Sequence, residues 1–320
     1  SGANSTFVNT GNIYLDGKFH EITSNTTITV NDKGSLTSNA FLNVIGYYDT
    51  NSYYYNGIFR VLAVGGGGGT GGATNTSGGG AGGEVLFTQP DVVNLQNTTY
   101  TLNVGGGGSA NGGAIYNKGN PGSNTVVFAG SNLEVLANGG DGGALGNDYL
   151  VPTTLPDGGN VATKIGGAGF HLDFWTNYNH LYDVGGGGAS IAQDGSPGVL
   201  PSSYPGIPYG GDGADGVTIS LTTRPEYAGN VLAGGVYGGG GGGGGGAELN
   251  RSPATAYGGL GGSGGGGRGY GTLTSGGARG TDGLGGGGGG GNYRRGGNGY
   301  IAIRYPAGYD FRFISNVNLA

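Results

Sequence analysis

Phe59-Arg60-Val61-Leu62-Ala63-Val64 runs without a break into Gly65-Gly66-Gly67-Gly68-Gly69, and this join decides how the chain is read. A short apolar stretch bounded by glycine reads as a strand. The same join recurs where residues 100–104 meet glycines 105–108, and where 181–184 meet 185–188. Further runs lie at 238–246, 264–267 and 285–291. A lone glycine run loses the most backbone entropy on ordering and has no side chain to bury. Its order must come from contacts that only glycine permits. Extended threefold helices of the polyproline II type have no internal hydrogen bonds. Without side chains they can pack side by side, each N–H and C=O pointing to a neighbour. The fold expected is mainly β and irregular: a polyglycine-II bundle with strands at its borders, aromatic loops and essentially no α-helix. Gly65, Gly105, Gly185, Gly242 and Gly288 are expected in its core.

Composition agrees with an unusual architecture. Of 320 residues, 85 are glycine and 11 proline, a share normally found in low-complexity disorder. Collagen is excluded, because it needs glycine at every third position and the run 238–246 ignores that phase. There is no cysteine, hence no disulfide framework and no thiolate metal site. Methionine is absent too, and Ser1 is expected to be a processed end. No apolar stretch reaches the ~18 residues of a spanning helix, so no membrane insertion is expected. The net charge of −6 gives no general reason to bind nucleic acid. That charge is uneven: residues 1–249 carry 6 basic and 17 acidic side chains, residues 250–320 carry 7 and 2. The basic end either stacks arginines on tyrosines or meets an acidic partner, such as a phosphorylated surface glycan or a neighbouring subunit.

Glycine density divides the chain. Residues 1–64 hold 6 glycines, 65–299 hold 78, and 300–320 hold one. Residues 1–58 read as a β-rich attachment or assembly module. Ile13-Tyr14-Leu15, Asp16-Gly17 and Lys18-Phe19-His20-Glu21-Ile22 give a hairpin signal, and strands are expected at 26–30 and 41–45. The glycine-rich domain is expected at 59–305 and a tail at 306–320.

The opening residues 59–69, the following Gly79-Gly80-Ala81-Gly82-Gly83-Glu84-Val85 and the closing Gly296-Gly297-Asn298-Gly299-Tyr300-Ile301-Ala302-Ile303-Arg304-Tyr305 resemble the glycine-rich domain of phage and large-virus fibre proteins. In architecture the chain resembles the tail-fibre tip adhesins of T-even-like phages. The resemblance implies a polyglycine-II core with receptor-reading loops at the distal ends of the glycine helices. It also implies a place on the virion surface or outside the cell.

Catalysis has little to work with. G-x-G-x-x-G recurs throughout and carries no information here. The one Gly-Lys pair, Gly17-Lys18, is followed by Phe19, so no phosphate-binding loop is present. His20, His171 and His180 are the only histidines, and the spacing of the last two fits no short metal pair. Gly210-Gly211-Asp212-Gly213-Ala214-Asp215-Gly216-Val217-Thr218 matches a calcium-binding nonapeptide, but that site needs consecutive copies and this one stands alone. It reads better as a turn into a strand at 217–221. Arginine–glycine boxes at 267–270 and 294–297 are too few for an RNA-binding tail. No enzymatic activity, cofactor or metal is expected.

The aromatic inserts carry more signal. Tyr47, Tyr48, Tyr53, Tyr54 and Tyr55 cluster in one segment; Phe170, Phe174, Trp175, Tyr178 and Tyr182 cluster with two histidines in another; Tyr204 and Tyr209 bracket a proline-rich turn. Aromatic rings cover bare backbone and sugar faces alike, so both a lid and a ligand contact remain open. The candidate receptor-binding residues are Trp175, Phe174, Tyr178, His180, Tyr182, Asp173, Tyr204 and Tyr209. Trp175 is the one tryptophan. Two functions follow: an adhesin binding a host surface glycan or protein receptor, or a structural subunit joining fibre or capsid proteins, or copies of itself, in a filament.

Overall fold

The computed structural model describes residues 19–22, 40–45, 60–71, 77–87, 99–111, 118–144, 157–174, 180–202, 206–219, 235–241, 245–248, 256–271, 273, 276–291, 293–304 and 310–314. Among them there is no α-helix. Four small antiparallel sheets border a body of extended glycine segments. The first orders β1 (Phe19–Ile22), β13 (Tyr300–Arg304), β3 (Arg60–Val64) and β4 (Val85–Phe87). The second orders β14 (Asp310–Ile314), β2 (Ala40–Ile45), β5 (Thr99–Asn103), β6 (Thr125–Ala129) and β7 (Val135–Ala137). Two smaller ones pair β10 (Val217–Ile219) with β11 (Gly235–Tyr237), and β12 (Gly245–Glu248) with β9 (His180–Val184) and β8 (Phe170–Phe174).

The glycine segments form the lattice expected of polyglycine II, and segment 65–70 shows its rule. Gly65 and Gly68 donate to Glu84 and Ala81; Gly66 and Gly69 donate to Ser123 and Asn120; Gly67 and Thr70 donate to Gly297 and Arg294. Each third residue returns to the same neighbour, as a threefold helix requires. The partner numbers fall as the donor numbers rise, so these three neighbours run antiparallel. Three others donate to its carbonyls: Gly108 and Asn111, Gly140 and Gly143, and Gly288. Segment 65–70 is thus the centre of a hexagon. Segment 78–84 repeats the pattern, donating to 138–144, 186–189 and 285–288 and accepting from Gly65, Gly68, Gly159 and Gly241.

Edge segments show why the interruptions fall where they do. In 118–124, Gly119 and Gly122 donate to Gly143 and Gly140, while Asn120 and Ser123 donate to Ser109 and Gly106. The remaining row, Lys118, Pro121 and Asn124, is exposed. Proline fits there because its φ suits this helix and its missing N–H would have faced solvent. Pro197 occupies the matching place between Ser196, which donates to Asp212, and Gly198, which donates to Ala168.

Strands are continuations of lattice segments. Val64 pairs with Val85 and Tyr300, and the next rungs are Gly65 to Glu84 and Gly67 to Gly297. Where side chains return they seal the lattice end. Leu62, Val64, Val85, Tyr237 and Tyr300 form one buried cluster, and Leu102, Val127 and Phe128 on β5 and β6 are fully buried too. Phe128 takes a φ of 57° where the β5–β6 register slips. This bulge leaves the extra residue out of the ladder.

The lattice therefore has two distinct ends. Following the antiparallel bonds, β1, β13, β3, β4, β10 and β11 cap one end, and β2, β14, β5, β6 and β7 lie with them. The sheet of β8, β9 and β12 caps the other, since 238–241 leaves β11 and 245–248 arrives beside Val184. Strand pairing also crosses the compositional boundary at residue 58, because β1 and β2 join strands from 99–103, 300–304 and 310–314. Residues 13–15, 26–30, 47–55 and 242 lie outside the described residues.

Candidate functional site

The far end of the lattice, opposite β3, β4 and β13, gathers the candidates that can be placed. Segments 210–216 and 257–263 run parallel there, with Gly210 donating to Tyr257, Gly213 to Leu260 and Gly216 to Ser263. Parallel threefold helices in register present side chains level with each other at every third residue. Three levels result. At the outermost, Tyr209 stacks on Tyr257 with ring centroids 4.9 Å apart and planes 10° apart. Next, the Leu260 N–H donates to Asp212 Oδ1 at 2.7 Å. At the third, the Ser263 N–H and Oγ–H both donate to Asp215 Oδ1 at 2.8 Å.

Tyr209 is 45% exposed although its ring is stacked. It is bonded through its backbone to Val199, itself 55% exposed. Ile207 and Leu260 add exposed apolar surface. A stacked pair holds its rings in place, contributing about 1 kcal/mol beyond area burial. The outer ring is therefore held in one orientation at an exposed place. The two aspartates below it do lattice work: each carboxylate stands in for a backbone carbonyl at an edge that lacks the next helix. The turn expected at 210–216 is instead an extended lattice segment, and β10 follows it at 217–219. Among the described residues no group of three acidic, histidine or cysteine side chains could hold a metal.

The same device recurs along the lattice edges. Asn298 Oδ1 accepts from Gly107, Asn124 Oδ1 from Gly139, Asn160 Oδ1 from Gly166 and Asp157 Oδ1 from Gly169. Sequence reasoning missed this role; its signal was Asn or Asp at three-residue spacing beside glycine. Asp215 carries a pH consequence. The Ser263 backbone N–H, then its hydroxyl, hold the Asp215 carboxyl below the ordinary 3.8, against a small opposing effect of burial. A lowered folded pKa contributes stability that is complete above the unfolded value and lost as pH falls through the folded one. The Ser263 amide resonance is expected to titrate with a midpoint below 3.8. A midpoint at or above that value would show that the bonds are not held in solution.

The aromatic insert is only partly placed. β8 and β9 pair antiparallel, with Phe174 opposite His180, Asp173 opposite Leu181, Leu172 opposite Tyr182 and His171 opposite Asp183. The pairing brings Phe174 and His180 together at the open end of the pair, and sets Asp173 and Tyr182 one and two rungs back. Trp175, Tyr178 and Tyr204 lie outside the described residues. Of the expected core glycines, Gly65, Gly105, Gly185 and Gly288 are buried in the lattice.

A family model described as a glycine-rich domain matches residues 49–306. No curated protein matches the chain.

Proposed function

We propose that the chain, which belongs to the glycine-rich domain family, is a non-enzymatic adhesin of a virion fibre or spike that grips a host-surface receptor with the far end of its lattice. One observation carries this reading: the lattice is polar. The two larger sheets lie at one end, and the Tyr209–Tyr257 stack and the β8–β9 pair lie at the other. A stiff body with its larger sheets at one end and an exposed aromatic stack at the other suits a tip that must hold recognition groups away from its mount.

Trp175 and Tyr209 are assigned the ring-stacking role, and Asp173 and His180 the polar contacts. Tyr209→Ala and Trp175→Ala are each expected to weaken binding to whole cells or arrayed surface glycans by about 1–3 kcal/mol, with the melting temperature held. Binding that survives both substitutions unchanged overturns the reading. The filament-subunit reading is favoured by one feature, the bare lattice edge at exposed Gly106, where an added Cβ would meet nothing within 4 Å. Spontaneous polymerisation of the purified chain would decide for it.

A further inference from the structure

The segments 266–271, 276–281 and 293–299 pack around one side of the glycine helix 285–291. Gly267 and Tyr270 donate to Gly287 and Gly290, Gly289 donates to Ala278, and Gly297 donates to Gly286. Segment 276–281 is the outer one of the three, bonded to 266–271 through Ala278 and Arg268, and to 293–299 through Gly280 and Arg295. Arg268 and Arg294 thus stand on the two segments that flank 276–281, and exposed Arg279 stands on 276–281 itself. The Arg294 Nη2 lies 3.9 Å from where a Cβ on Gly276 would stand.

Arg295 is paired with Asp282 at 2.8 Å. Among the described residues no carboxylate pairs with Arg268, Arg279 or Arg294. The Nε atoms of Arg268 and Arg294 are moreover buried and without a hydrogen-bond partner. A buried donor on a charged group is costly to leave unpaired. Two such donors on either side of one outer segment ask for an acceptor with several oxygens. Guanidinium forks match tetrahedral oxyanions in geometry and charge. The chain as a whole carries −6, so an anion site on it has to rest on local donors rather than on a long-range field.

We propose that Arg268, Arg279 and Arg294 form a site for the phosphate or sulfate ester of an anionic glycan. The proposal names a receptor chemistry and rests on the adhesin reading only for the ligand's source. Its test is made with purified polymers, so its failure leaves cell binding through Trp175 and Tyr209 untouched. The probes are dextran, its sulfate ester and its phosphate ester, matched in chain length, titrated against the full chain at several salt concentrations. At least one ester should bind and plain dextran should not; which ester binds identifies the oxyanion. Arg268→Gln with Arg294→Gln should weaken ester binding about tenfold or more and flatten its salt dependence. Lys118→Gln with Lys164→Gln removes the same charge elsewhere and should change neither. If the arginine pair fails to fold, exposed Arg279→Gln should still weaken ester binding measurably. Equal losses in the lysine and arginine pairs, unchanged binding in Arg279→Gln, or equal affinity for plain dextran would each overturn the proposal.

Discussion

Replacing Gly68 with alanine is expected to cost about 3–5 kcal/mol, at the upper end for a single added methyl. Gly68 donates to Ala81 and accepts from Gly288. Its Cβ would fall on the carbonyl oxygen of Asp141, with Gly140 O 2.9 Å away. The obstacles are backbone atoms of helices bonded on every side, so none can step back without breaking its own bonds. The control is Gly106→Ala. There a Cβ meets nothing within 4 Å, and the narrower unfolded ensemble should leave stability unchanged or raised by about 0.5 kcal/mol. Denaturant unfolding of the two variants checks the pair. Equal, small effects would mean that the glycine segments do not pack as closely as described.

Thr125→Val is expected to cost about 2–4 kcal/mol by the same measurement, although the two side chains have nearly the same shape. Thr125 is fully buried. Its hydroxyl donates to the Val64 carbonyl at 2.6 Å and accepts from the Gly105 N–H at 2.8 Å. Valine would leave the buried Gly105 N–H without this acceptor and take one donor from the Val64 carbonyl, where β3 and β5 turn into glycine segments; an unpaired buried group costs about 1–3 kcal/mol and a lost bond about 1 kcal/mol. Serine keeps both bonds and loses only a methyl, so Thr125→Ser should fall well short of the valine effect.

These two residues show how far the sequence could be read. The joins at Val64, Val104 and Val184 identified strands that lead into glycine, and β3, β5 and β9 lie there. The physics of bare backbone then led to the lattice. What could not be read was which segment meets which. Gly67 bonds to Gly297 and Gly80 to Gly288, across almost the whole chain, and one glycine is chemically identical to the next. Register is marked only where other residues interrupt, as with Pro121 between Gly119 and Gly122. The Thr125 bridge was invisible because a buried threonine at a strand start looks like any other β-former. The Tyr209 candidate was legible, but Tyr257, its stacking partner, was not: the two are neighbours only because 210–216 and 257–263 run parallel in step.

The hexagon of segments around 65–70 also sets how this protein should respond to temperature. An ordinary core buries hydrocarbon, whose exposure raises the heat capacity on unfolding by about 0.45 cal/K/mol per Å², while exposed peptide lowers it by about 0.26. Here much of what is buried is peptide, and the hydrocarbon is gathered in patches such as Leu62, Val64, Val85, Tyr237 and Tyr300. The heat-capacity change per residue therefore falls below the usual ~12–15 cal/mol/K. A smaller change means a flatter stability curve. Such a body keeps nearly the same rigidity in cold surroundings and warm ones, where an oil-like core would loosen at both extremes.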